Sequence, residues 1–473
     1  MKKKSFKLCE VETAPRCSFL LLGHLPRFNR YAASTLLLVG LVSYDSAKLA
    51  HADDLLSVYN LAVTSDPHIR AAEAAKNAAL EVVPQSRAML LPSLNINADV
   101  TWDSYDTLDG DFRKLQGQDQ SSYTNETYTI ELRQAVFHHD RFVELKLADQ
   151  RAAQAVATYA AAQQDLILRV ASSYFLVLAT LDNLEFVSAD KEAIAGTLKN
   201  AKQRYDVGLA AVGDVHEAQA RYDIAVSEEL NAEKLLDNSR EALQKLTGIA
   251  VQDVAVLGAD IPLRLPEPAD PEQWTTMALA QNPLLLAATA ATNAAENQVE
   301  VQKSGHYPTL DMVARYQYRD NDFGGTGFPI RRNDSAIGLE LNIPLYQGGL
   351  VSSQARQAGY QFAQAREDQR EQQLDVKLRT RDRYRGVAVE ISRVKALKQA
   401  ILSSDKALNA SQAGFEAGTR TIVDVLDSQR ELLRARRDYA RSRYDYLLNT
   451  LLLKQVAGIV APSDIELING MLK

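Results

Sequence analysis

The chain states one pattern twice, and that duplication limits what it can fold into. Asp66-Pro67 leads into the alanine-rich stretch Ala71 to Glu81 and then Leu91-Pro92. Exactly the same order returns 216 residues later as Asn282-Pro283, Ala287 to Asn297 and Tyr307-Pro308. Tyr205-Asp206-Val207-Gly208, Asp214-Val215 and Gln219 return 210 residues later as Phe415-Glu416-Ala417-Gly418, Asp424-Val425 and Gln429, and Thr247-Gly248-Ile249 returns as Ala457-Gly458-Ile459. Solenoid modules repeat every ~20 to 50 residues. A unit this much longer carries its own strands and helices, so two similar half-structures are expected.

Each half has room for very long helices. No proline lies between Pro92 and Pro262 or between Pro344 and Pro462, and proline is the residue that a helix interior tolerates least. From about Arg141 to Val207, residues such as Ile167, Val170, Tyr174, Leu178 and Leu181 recur at helical spacing. The second half repeats this from about Val351 to Ala413. Shorter helical patterns follow Gly208 and Gly418 and end near Leu246 and Val456, so each half closes with a helical hairpin. Long helices with a narrow apolar stripe pack side by side as coiled coils.

Before each long helix the period changes to two. Leu94, Ile96, Ala98, Val100 and Trp102 alternate with polar residues, as do Tyr128, Ile130, Leu132 and Val136. The second half answers with Leu310, Met312, Ala314, Tyr316 and Tyr318, then Ile337, Leu339, Leu341, Ile343 and Leu345. One apolar and one polar face over about ten residues is the pattern of a membrane barrel strand; an ordinary half-buried sheet in a soluble protein gives it too. Trp102, Tyr105, Tyr128, Phe137, Tyr318 and Tyr346 suit an interfacial aromatic girdle. The connections Tyr105 to Thr124 and Arg319 to Asn333, with Gly324-Gly325-Thr326-Gly327, are polar and turn-rich, as outer loops would be.

The N-terminus reads as a secretory leader. Lys2, Lys3, Lys4, Lys7, Arg27 and Arg30 precede the apolar run Ala32 to Val42 and Ala50-His51-Ala52. Both cysteines, Cys9 and Cys17, fall inside it, so the remaining chain has no thiol chemistry. Without residues 1–52 there are 45 basic and 57 acidic residues, a net charge of −12, which disfavours nucleic acid and favours cations. Nothing after residue 52 approaches 18 consecutive apolar residues, so no membrane-spanning helix is expected. Four strands cannot close a barrel whose minimum is about eight, and lipid does not tolerate an open sheet edge. The barrel must then be shared between chains.

Several motifs carry a family resemblance: Leu345-Tyr346-Gln347-Gly348-Gly349, Tyr307-Pro308-Thr309-Leu310 and, above all, Gly418-Thr419-Arg420-Thr421-Ile422-Val423-Asp424-Val425-Leu426-Asp427. Through them the chain resembles the TolC family of outer-membrane efflux and type I secretion channels over nearly all of its mature length. The resemblance implies a mainly α fold with a β-barrel portion. It further implies a homotrimer in the outer membrane, with four barrel strands per chain, twelve in all, continued by a helical tunnel through the periplasm. It also implies a periplasmic adaptor and an inner-membrane pump of ABC, RND or MFS type as partners, with drugs or proteins as cargo. The corresponding organisation is a leader at 1–52, a first repeat at 53–248, a linker at 249–282, a second repeat at 283–458 and a C-terminal segment at 459–473. Strands are expected near 93–105, 125–137, 308–319 and 334–346, and helices near 141–207, 212–246, 350–413 and 421–456.

By the same resemblance, Asp424 and Asp427 look like a ring of carboxylates at the periplasmic entrance, able to hold a transient cation, and Arg420 looks like a gate contact to Asp214. The sequence departs from the family pattern in three places. Phe415 stands where a tyrosine is usual, Gly213 where a threonine is, and His138-His139-Asp140 replaces a glycine-rich junction. From the residues alone, Thr421 and Asp424 can equally be a capping pair, Asp214 an N-terminal cap and Arg420 a cation at a helix C-terminus. Asp424 and Asp427, three apart, share a helix face. Two adjacent histidines without a third spaced ligand are weak evidence for metal, and a solvated junction is expected there. No catalytic constellation, phosphate loop or cofactor motif stands out. The expected function is therefore a passive export duct with no enzymatic activity and no cofactor; the alternative is a non-transport periplasmic coiled coil.

Overall fold

The computed structural model describes residues 54–106, 120–208, 211–251, 253–321 and 330–473. The leader with both cysteines, the side chain of Tyr105 and the glycine-rich part of the second loop lie outside the described residues. The first half runs through α1 (Leu55–Ser65), α2 (Pro67–Leu80), α3 (Val82–Ala88), β1 (Ser93–Asp106), β2 (Gln120–Phe137), α4 (His139–Asp206) and α5 (Val212–Thr247). The second runs through α6 (Pro271–Gln281), α7 (Pro283–Lys303), β3 (Thr309–Asn321), β4 (Ile330–Asn342), α8 (Leu350–Glu416), α9 (Ile422–Val456) and α10 (Pro462–Asn469).

The duplication reappears as matched helix ends. Asp66 caps α2 by accepting from the His68 amide, with Pro67 in the first turn; Asn282 caps α7 by accepting from the Leu285 amide, with Pro283 in the first turn. At the other end of each half, α5 and α9 are followed by Gly248 at φ 75° and Gly458 at φ 78°. These two glycines occupy the left-handed region that a side chain disfavours. Each also packs against the residue before the matching cap: a Cβ on Gly248 would lie 3.3 Å from Ser65, and one on Gly458 only 2.3 Å from the Gln281 carbonyl oxygen.

With 68 and 67 residues, α4 and α8 each extend about 100 Å at ~1.5 Å per residue. Each long helix changes partner along its length. Asn293 of α7 bonds Gln150 of α4, and further along Thr180 and Lys191 of α4 bond Ser239 and Glu229 of α5. Likewise Thr292 and Thr289 of α7 bond the Ala365 carbonyl and Gln369 of α8, whose far end meets α9 through Ser411 and Ser428.

The main core lies where the long helices, α1, α10 and the 251–263 segment converge. Tyr174, Phe175, Leu178, Leu243, Leu451, Leu453 and Ile465 are fully buried there, each large side chain contributing about 1.5–3 kcal/mol by burial. This core explains one departure from the sequence reading. An 18-residue window of α4 has a mean hydropathy of 1.3, enough by composition to cross a membrane, but half of it is buried inside the protein. The linker is also more than a tether: the Gly258 and Lys473 amides donate to the Met471 and Val256 carbonyls, fixing 256–258 against the C-terminal segment.

The four strands form one antiparallel sheet in the order β1-β2-β3-β4. Its register places Leu94, Leu132, Ala314 and Ile337 in one row and Ile96, Ile130, Tyr316 and Ser335 in the next. On that face Ile96 is 71% and Ile337 77% exposed. The opposite face carries Asn95, Glu131, Arg315 and Ala336 in one row. β4 ends at Asn342 rather than continuing to Tyr346, because Pro344 cannot donate to a ladder.

Candidate pore entrance at the helix tips

The two hairpin ends, α4–α5 and α8–α9, meet in a small apolar cluster of Ile194, Leu198, Ala201, Ala218, Ala225, Ile422 and Leu426. The α8–α9 turn is held by its own backbone: Thr419 and Arg420 amides both donate to the Gly414 carbonyl, at 2.8 and 3.1 Å, and Gly418 has φ 76°. Thr421 then caps α9 in a reciprocal box. Its hydroxyl accepts from the Asp424 amide, and the Asp424 carboxylate accepts from the Thr421 amide at 2.8 Å and hydroxyl at 2.7 Å. These bonds, with Arg420 nearby, hold the Asp424 carboxyl below the usual carboxylate range, so it is ionised at neutral pH.

Asp214, the equivalent residue 210 positions earlier, accepts from the Ala211 amide at 3.3 Å, one half of such a box, since alanine has no hydroxyl to accept in return. Within the chain Arg420 does not bond Asp214. Its stem lies across Gly414, where a Cβ would approach it to 2.9 Å, and its guanidinium donates to Ser411 Oγ at 3.0 Å. Ser411 in turn bonds Ser428. Arg420 therefore braces its own hairpin. Phe415 packs at the margin of the apolar cluster, and the Arg204 guanidinium of α4 sits over its ring at 4.9 Å, a cation–π contact between the two hairpins.

Asp427 makes the ionic link between hairpins. It lies 3.3 Å from Arg221 of α5 and 3.3 Å from Arg430 of its own helix, while Arg221 also reaches Glu217 at 3.3 Å. Sequence reasoning missed Arg221. A signal for it was present: the 210-residue offset equates Glu217 with Asp427, so both halves place a carboxylate where Arg221 can reach. Deeper along the tips, Gln429 donates to Asp190 of α4 at 2.8 Å, and burial pushes the Asp190 carboxyl up despite that bond. Among the described residues no group of three or more His, Cys, Asp or Glu is arranged to hold a metal.

The junction between β2 and α4 differs from expectation. His138 is only 7% exposed, not solvated, because its ring reaches across to Asp311 of β3, with Nε2 3.1 Å from the carboxylate.

A sequence profile described as outer membrane efflux protein matches residues 58–249 and 274–459. The chain is 36% identical to Outer membrane protein TolC of Vibrio cholerae over 426 residues, 89% of this chain and 94% of that one. It is 33% identical to Outer membrane protein TolC of Escherichia coli over 445 residues, 92% and 88% of the two chains. Alkaline protease secretion protein AprF of Pseudomonas aeruginosa is 26% identical over 89% of this chain and 87% of its own length. Among solved structures, the fold is similar to outer membrane protein VceC of Vibrio cholerae, with a TM-score of 0.72 at 19% identity covering 85% and 96% of the two chains. It is also similar to the Campylobacter jejuni CmeC outer membrane channel, with a TM-score of 0.73 at 14% identity covering 95% and 98%. These relatives give no support to a structural periplasmic coiled coil. With a profile match over most of its length and close relatives that are outer-membrane channels, the chain belongs to the outer membrane efflux protein family and is an outer-membrane efflux or secretion channel, not an enzyme.

Proposed function

We propose that three copies of the chain close one twelve-stranded barrel, and that the α4–α5 and α8–α9 tips form its periplasmic gate. The observation that carries this reading is the four-stranded sheet. One of its faces is apolar and exposed, the other is charged, and β1 and β4 are each paired on one side only. Such edges must be paired by further chains before the sheet can stand in lipid. The long helices below the sheet then continue the duct across the periplasm towards a periplasmic adaptor and an inner-membrane pump of ABC, RND or MFS type, which select the drugs or proteins that pass.

In a trimer, Asp424 and Asp427 supply six carboxylates around one axis, the arrangement of a cation-binding pore ring. Arg221–Asp427 and Arg204–Phe415 tie neighbouring hairpins together, and Arg420 and Asp214 stiffen the turns that carry them. Deleting the gene and measuring drug susceptibility together with the secreted proteome tests the transport reading. Loss of drug resistance, of secreted proteins or of both is expected, and restoration by the cloned chain. No change in either would count against it.

A further inference from the structure

We propose that copies of the chain join with a fixed stagger: β1 of one copy pairs with β4 of the next, six residues away from the row that the two strands share within one chain, so that Asp99 meets Gly338 of the next copy. The stagger rests on the shared-barrel reading and fixes what that reading leaves open, the register of the seam. Within the chain one row holds Ser93, Arg133, Val313 and Gly338, and another holds Thr101, Asn125, Asn321 and Ile330. The strand ends do not follow these rows. β1 starts at Ser93, but β4 continues four residues beyond Gly338 to Asn342; β4 starts at Ile330, but β1 continues five residues beyond Thr101 to Asp106. The apolar face slants the same way. It reaches Trp102 on β1 but only Ile337 on β4, in the row of Leu94.

Tilted barrel strands end at one height only if each is shifted against its neighbour, so stagger and tilt are linked. A shift of four to five residues over the three steps from β1 to β4 extends to between five and seven over the four steps that include the seam. Side chains alternate with period two, so only an even shift keeps both apolar faces outside. Six is the even number in that interval. Six residues at about 3.4 Å, over four strand spacings of about 4.8 Å, tilt the strands by roughly 45°, at the upper end of the range for membrane barrels. Eight would need roughly 55°. Four, at roughly 35°, fits the tilt but leaves the strand ends out of level.

The side chains agree with six. Ile96 then lies opposite Leu341, Ala98 opposite Leu339 and Val100 opposite Ile337, an unbroken set of apolar cross-strand pairs. At a shift of four, Val100 would face Ser335. These edge residues lack cover within one copy: Val100 is 63% and Leu339 70% exposed, against 41% for Ile130 in the middle of the sheet. On the inner face Asp99 lies opposite Gly338, Thr101 opposite Ala336 and Asp103 opposite Asp334. The last two carboxylates already have partners in their own chain, Asn125 for Asp103 and Arg332 for Asp334, which offsets their repulsion across the seam.

Disulfide cross-linking of the full-length protein reads the register directly. Within one copy β1 and β4 stand three strand spacings apart, about 14 Å, and a disulfide needs Cα atoms within about 7 Å. Any cross-link between them therefore joins two copies, and a pair two residues out of register does not close. A Cβ on Gly338 meets nothing within 4 Å, so a cysteine fits there. On oxidation of outer-membrane fractions, Asp99→Cys combined with Gly338→Cys should convert most of the monomer band on a denaturing gel to dimer and trimer. Thr101→Cys with Ala336→Cys should do the same, and serves if the first variant fails to assemble. Cross-linking instead through Asp99→Cys with Ala336→Cys, or Asn97→Cys with Gly338→Cys, means a shift of four; through Asn95→Cys with Ala336→Cys it means no shift. Either result overturns the proposed register and leaves the shared barrel standing. No cross-link from any of these pairs overturns both.

Discussion

At Asp427 two guanidiniums share one exposed carboxylate, and only one of them, Arg221, belongs to the other hairpin. An exposed pair contributes about 0.2–1 kcal/mol, so a single copy is a weak latch; in the proposed trimer three copies would act together on one closed state. Arg221→Glu should therefore raise the closed-state conductance in planar bilayers while the assembly stays intact. Arg420→Glu should raise it less, since Arg420 bonds only Ser411 of its own hairpin; the reverse ranking would restore Arg420 as the main gate contact. Asp424→Asn combined with Asp427→Asn should weaken block by multivalent cations, because like charges held close are relieved by a bound cation. Undiminished block in the double variant would make the pair purely structural. The contribution of Asp424 has a definite sign with pH. Its folded carboxyl is held below its unfolded value, so its stabilisation is full above the unfolded value and is lost as pH falls through the folded one. The Thr421 cap was legible because it spans three residues; Arg221 was harder to read, because its partner lies 206 residues away and only the repeat offset links the two.

Among the elements, glycines of like conformation behave differently once packing is considered. Gly418 and Gly458 share a positive φ, but a Cβ on Gly418 meets nothing within 4 Å, whereas one on Gly458 overlaps the Gln281 carbonyl. Gly418→Ala should cost about 1–2 kcal/mol for the backbone alone. Gly458→Ala should cost about 1–3 kcal/mol more for overpacking, visible as the larger fall in melting temperature; equal falls would show that the 457–459 turn moves freely. Within the core, burial pushes the Asp182 carboxyl up even though Tyr444 donates to it at 2.7 Å. A raised carboxyl makes stability fall as pH climbs from its unfolded towards its folded value, and Asp182→Asn should flatten that part of the pH–stability profile. The helices were legible from proline gaps and helical spacing, and the strands from alternation. The end of β4 and the burial of His138 were not, since one depends on Pro344 interrupting an otherwise favourable pattern and the other on Asp311, a residue brought across the sheet by strand pairing.

For the whole molecule, the duplication was the feature from which most could be read: two strand pairs, two long helices and two hairpins follow from it. What it could not convey was how the halves divide labour, for instance that the 249–282 stretch contains α6 and that residues 256–258 bond the C-terminal segment. In the proposed shared barrel, β1 of one copy must meet β4 of the next at the edges of the sheet. The sequence has no cysteine beyond Cys17, so engineered thiols report cleanly. Cysteines placed in turn at Asn95, Asn97 or Asp99 of β1 and at Asp334, Ala336 or Gly338 of β4 should, in a matched pair, cross-link copies in outer-membrane fractions. The denaturing gel should show monomer, dimer and trimer and stop there, as a closed ring of three requires. A ladder that stops at the dimer or runs beyond the trimer, or no cross-link from any pair, would contradict the shared barrel.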